Sequence, residues 1–184
     1  TGVTAPREIY DYRAILDEMR LIKSTDELQI MQRAADISAQ AHQRAMQAVR
    51  PGMREYEIEA ELLHTFYRHG AQAPAYTSIV AGGANACILH YVQNDAELKS
   101  GDLLLIDAGC ELNGYASDIT RTFPVNGKFT AAQRDVYQLV LSAQAAAIAE
   151  VKPGSRWNDP HQAALQVLAQ GFIDLGLCRG SVDE

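Results

Sequence analysis

Apolar positions recur at helical spacing early in the chain, switch to strand spacing in the middle and return to helical spacing towards the end. A short helix is predicted over residues 7–20. Ser24 and Glu27 form a capping-box pattern at the head of a longer helix, in which Leu28, Met31, Ala34, Ala35, Ser38, Ala41, Ala45 and Val49 share a face. Arg50-Pro51-Gly52 ends it. Another helix is predicted from about Glu55 to His69, with Ile58, Leu62, Leu63 and Phe66 inward and Gly70 as its stop. Residues 73–124 read as short strands, with breaks at Gly82-Gly83 and Asn94-Asp95. Thr130 and Gln133 repeat the capping box before a long helix closed by Pro153-Gly154, and a last helix is predicted over about Asp159 to Leu175. Helices, then antiparallel strands, then helices argue for an α+β fold with a sheet covered by helices.

One strand in this pattern ends on a charge. Leu103-Leu104-Leu105-Ile106 runs into Asp107, the chain turns at Asn113-Gly114, and Asp118 follows on the return. A two-residue turn there sets Leu112 opposite Tyr115 and Gly109 opposite Asp118. Asp107 and Asp118 then share a face as diagonal neighbours, with Cβ atoms roughly 6–8 Å apart, while Cys110 faces away. Two ionised carboxylates about 5 Å apart repel by about 3 kcal/mol at an effective dielectric near 20. A shared proton, a bridging divalent cation, or a structural pairing of Asp118 with Arg121 would each relieve this. His90 is expected to end another strand of the same region, and to matter if that strand lies beside the hairpin. Tyr76 stands near a strand start, where packing is the default role. His42, His64, His69 and His161 fall in predicted helices without a second ligand at zinc spacing, and are read as structural or surface residues.

With 184 residues, 47% of them apolar, the chain has material for one core of ordinary size. A net charge of −7 without a basic stripe disfavours nucleic acid as a partner. No apolar run approaches the roughly 18 residues that span a bilayer, and the N-terminus lacks signal-peptide order, so a soluble, cytoplasmic protein is expected. Cys87, Cys110 and Cys178 match no CxxC pattern and are expected to be buried, reduced thiols.

The stretch from Leu105 to Tyr137, "LIDAGCELNGYASDITRTFPVNGKFTAAQRDVY", preceded by "ILHYVQND", closely resembles the Xaa-Pro aminopeptidases. These are metallopeptidases of the pita-bread fold, which also includes prolidases and methionine aminopeptidases. The resemblance covers nearly the whole chain, and "TRTFPVNGKF" weighs against the methionine aminopeptidase branch. It implies two divalent ions, commonly manganese, held by two aspartates, a histidine and two glutamates, with Asp107 and Asp118 as the aspartates and Asp118 bridging. It also implies that His90 steadies the scissile peptide or a developing oxyanion, and that Tyr76 lines the substrate cleft. The implied substrate is a peptide with proline in second position, and the intact protein is expected to be a homo-oligomer. A prolidase, or a pita-bread module that binds peptides or proteins without catalysis, is the alternative, and the retained acid pair argues against the module. The family's remaining ligands follow a glycine-rich segment without counterpart here. Residues 1–20 are therefore expected to precede the catalytic domain, and residues 21–184 to form the first half of it, inactive on its own.

Overall fold

The computed structural model describes residues 2, 8 and 10–182. Helix α1, Arg13–Leu21, begins later than predicted, and part of the expected 7–20 helix lies outside the described residues. The Ser24 box forms in full: Ser24 N–H donates to the Glu27 carboxylate (2.6 Å) and Glu27 N–H to Ser24 Oγ (3.3 Å). It opens α2, Thr25–Ala48, whose buried stripe is Ala34, Ile37, Ser38, Ala41, His42 and Ala45. Leu28 was expected on that stripe but is exposed, while Ile37 and His42 join it. Helix α3, Glu55–Arg68, buries Ile58, Leu62, Thr65 and Phe66 as its periodicity requires, and also Glu55.

The strands are β1 (Ala73–Pro74), β2 (Ile79–Gly82), β3 (Leu103–Ala108), β4 (Cys110–Leu112), β5 (Tyr115–Ala116) and β6 (Ile119–Pro124). They form two antiparallel sheets, ordered β1-β4-β5 and β2-β3-β6. Strands β3 and β4 are consecutive on one arm of the predicted hairpin, and β5 and β6 on the other. Asn113 and Gly114 both take positive φ at its tip, 51° and 84°, as a primed two-residue turn needs.

Alternation along β3 decides the layering. Leu104, Ile106 and Ala108 point into a core shared with Ala34, Ala41, Ile58, Leu62 and Phe66 of α2 and α3. Leu105 and Asp107 point to the opposite face, where Leu105 meets a small cluster of Ile79, Ala81, Ala86 and Tyr91.

The chain divides into two compact units, Thr1–Asn126 and Gly127–Glu184. The second holds α4, Ala131–Ala149, started by the Thr130–Gln133 box, and α5, Asp159–Asp174. Gly171 of α5 lies so near Leu139 that an added Cβ would come within 2.1 Å of it. Among the described residues, no helix is long and apolar enough to cross a membrane. All three cysteines are free; Cys110 is buried as expected, whereas Cys87 and Cys178 are exposed, Cys87 at the end of the turn before Ile88 and Cys178 in a run of exposed residues after α5.

Candidate metal centre

The hairpin keeps one register from end to end. Leu112 pairs with Tyr115, Glu111 with Ala116, Ala108 with Ile119 and Asp107 with Thr120, so the expected pairing holds on both sides of the turn. Only Gly109, Ser117 and Asp118 fall outside the regular ladders. There the strands approach so closely that a Cβ on Gly109 would sit 1.7 Å from the Ser117 carbonyl oxygen. The interruption is built from polar contacts. Ser117 Oγ lies 2.7 Å from Ser38 Oγ of α2, and Cys110 N–H is shared between the two hydroxyls at 3.0 Å each. His42 of α2 donates from Nε2 to the Ala108 carbonyl (3.0 Å) and leaves its buried Nδ1 without a partner. Burial holds the His42 imidazole below its usual range, against the opposing pull of the Ala108 carbonyl and the Asp107 charge. Helix α2 thus braces the hairpin from behind at the point where the two acids project forward.

On the front face, Ala75 N–H donates to the Gly109 carbonyl (2.9 Å), which the strand break leaves available. This contact carries Tyr76 over the acids. Its hydroxyl lies 2.5 Å from Asp107 Oδ1 and 3.0 Å from Asp118 Oδ1, so those oxygens are no farther apart than the two distances laid end to end. One hydroxyl proton serves two carboxylates. Burial, then the hydrogen bond to Asp107, pushes the Tyr76 phenol far above its ordinary range, so it remains a donor. Arg121 is turned to the Thr120 carbonyl (2.7 Å) and makes no ion pair with Asp118, which removes the structural pairing as an account of the two acids.

His90 does not end a strand. After β2 the chain curls into a 3-10 helix, Gly83–Cys87, and His90 follows in a turn with φ of 56°. The apolar run around it resembles a strand in sequence, but Ile88 and Leu89 are 55% and 86% exposed. The curl has a cause elsewhere: donors from this segment converge on the buried Glu55 carboxylate of α3. His90 is exposed, and its neighbour Tyr91 packs with Ile79 and Leu105 on the sheet face that carries Asp107. The structure therefore brings Tyr76, Asp107 and Asp118 together, and places the His90 segment on their side of the sheet.

Glu55 escaped the sequence reading. An acid in the first turn of a helix is common for the sake of the helix dipole, so nothing local marked it as buried.

Two hard carboxylate donors converging on one face suit a divalent cation. They make only part of a site, since among the described residues no group of three or more His, Cys, Asp or Glu surrounds a common point.

A layered helix-and-hairpin fold with a paired-acid face defines the class, and the profile of metallopeptidase family M24 matches residues 29–181: the chain belongs to that family. It is 55% identical over 176 residues to the Xaa-Pro aminopeptidase of Haemophilus influenzae, covering 96% of this chain and 41% of that protein. It is 49% identical to the Escherichia coli K12 Xaa-Pro aminopeptidase, over 100% of this chain and 42% of that one. Among solved structures, Pseudomonas aeruginosa aminopeptidase PepP superposes with a TM-score of 0.94 at 52% identity, over 99% of this chain and 41% of that one. An Escherichia coli aminopeptidase P variant in complex with substrate gives 0.93 at 49% identity, over 98% and 41%. The fold is accordingly the α+β pita-bread fold. The chain spans about two-fifths of the length of these relatives. Membership of a metallopeptidase family implies divalent metal ions, and a zinc-substituted aminopeptidase P is among the similar structures.

Proposed function

We propose that the intact protein is a binuclear metal-dependent aminopeptidase that releases the N-terminal residue from peptides with proline in second position. The observation that carries this reading is the convergence of Asp107 and Asp118 on a single tyrosine hydroxyl. The names of the most similar relatives support the substrate class.

Asp107 and Asp118 would hold the two divalent ions, with manganese as the metal the family resemblance implies. When bound, such ions supply Lewis-acid activation of a scissile carbonyl and of water. The acids hold charge and transfer no proton. Tyr76 fixes the carboxylate oxygens and lines the cleft. His90 donates to the scissile peptide or to the oxyanion that develops from it. Two acids alone do not complete such a site, so the 184-residue chain by itself is expected to be inactive. Cytoplasmic location and homo-oligomeric assembly belong to the same reading; unpaired cysteines agree with a reducing compartment.

The test is hydrolysis of an Xaa-Pro tripeptide against an Xaa-Pro dipeptide by the intact protein, stripped of metal and then given manganese. The tripeptide should be cleaved faster, and only with metal restored. Preferential cleavage of the dipeptide would make it a prolidase, and cleavage of neither would favour a binding module.

A further inference from the structure

Glu55 is 0% exposed, and no cation pairs with it among the described residues. Oε1 accepts from Gly82 N–H (2.8 Å) and Asn85 Nδ2 (3.0 Å), and Oε2 accepts from Tyr91 Oη (2.7 Å) and Ala96 N–H (3.0 Å). These donors sit at the end of β2, in the 3-10 helix, directly after His90, and near the end of the loop. They bracket His90 in sequence, while among the described residues His90 makes no side-chain hydrogen bond of its own.

A buried carboxylate is costly, and a well-packed apolar residue often serves stability better. What an apolar residue or an amide lacks is acceptor capacity for several donors at once. We propose that Glu55 is a positioning residue for the reaction, its carboxylate gathering Gly82, Asn85, Tyr91 and Ala96 so that His90 stands at a fixed place beside the Asp107–Asp118 face. The proposal rests on the role given to His90 above. Asn94 completes the restraint from the other side, accepting from Val80 N–H (3.0 Å) and donating to the Ser78 carbonyl (2.8 Å), so the loop is pinned to β2 as well as to α3. Burial, then the bond to Glu55, pushes the Tyr91 phenol up to about 12, so Tyr91 keeps its proton to donate at neutral pH.

The test is a double-mutant cycle in the metal-loaded, full-length protein, with kcat, KM and metal content measured on an Xaa-Pro tripeptide. Glu55→Gln, which turns two donors towards the incoming donors, should lower kcat by about tenfold or more while KM and metal content stay within about twofold, as expected for a misplaced catalytic group. In a His90→Ala background the same change should lower kcat no further. Tyr91→Phe removes a single donor, and should give a smaller loss of kcat that likewise disappears without His90; it carries the cycle if Glu55→Gln does not fold. A loss of equal size with and without His90 overturns the proposal and leaves the role of His90 standing, as does wild-type kcat in both loop variants. Wild-type kcat in His90→Ala alone overturns the reading of His90 and the proposal with it.

Discussion

A phenol has one proton, and the hydroxyl of Tyr76 stands between two carboxylate oxygens that both seek it. At the separation these contacts allow, ionised acids repel by roughly 3 kcal/mol, and one shared hydrogen bond offsets only part of this. A cation held by both acids removes the repulsion, and Tyr76 then matters less to stability. Replacing Tyr76 with Phe should therefore destabilise the metal-free protein by about 1–2 kcal/mol and enlarge the rise in melting temperature on adding manganese. An unchanged or smaller rise, measured by thermal shift, would contradict this. The sequence made the acids legible, because an apolar strand ending on Asp107 and a turn at Asn113-Gly114 are local signals. Spacing alone offered only packing for Tyr76, and its place at the cleft was readable only through resemblance, because the contact depends on Ala75 reaching the carbonyl of Gly109, far along the chain.

At the scale of elements, the break at Gly109 separates a plain hairpin from one that turns two acids outward together. The Ser117 carbonyl occupies the space a side chain at Gly109 would need, with no flexible atom to yield. Gly109→Ala should destabilise the fold by about 3 kcal/mol or more and lower metal affinity along with it; a variant with wild-type melting and metal content would show that the break is not needed. Helix α2 backs the same place through His42, and this makes stability depend on pH. Burial lowers the imidazole below its unfolded value near 6.5, so the unfolded chain binds the proton more readily. The contribution of neutral His42 is thus complete above about pH 6.5 and is lost as pH falls through its lower folded value. Urea midpoints should fall with acidification in that window, and His42→Gln should flatten the slope there; an unchanged slope would remove His42 as the cause. Helices were readable because caps and periodicity are local: both capping boxes formed where Ser24 and Thr130 placed them. The His90 segment was misread as a strand because Glu55, more than twenty residues earlier, decides its course.

For the whole molecule, membership of family M24 and superposition on aminopeptidase P agree with what the hairpin demands. The chain spans about two-fifths of these relatives, and under the proposed reading Asp107 and Asp118 are two of the five ligands that the family resemblance implies. The sequence carried the fold and the acid pair because both are written in short patterns. The histidine and the glutamates that would complete the centre were readable only through resemblance, and among the described residues no group of three or more His, Cys, Asp or Glu surrounds a common point. The central claim is that Asp107 and Asp118 hold the metal on which peptide cleavage depends. Its most direct test is metal content by elemental analysis, with Xaa-Pro tripeptide hydrolysis, in the intact protein carrying Asp118→Ala. Bound metal and cleavage should be lost together while the fold persists by circular dichroism; a variant that keeps both metal and activity would contradict the account.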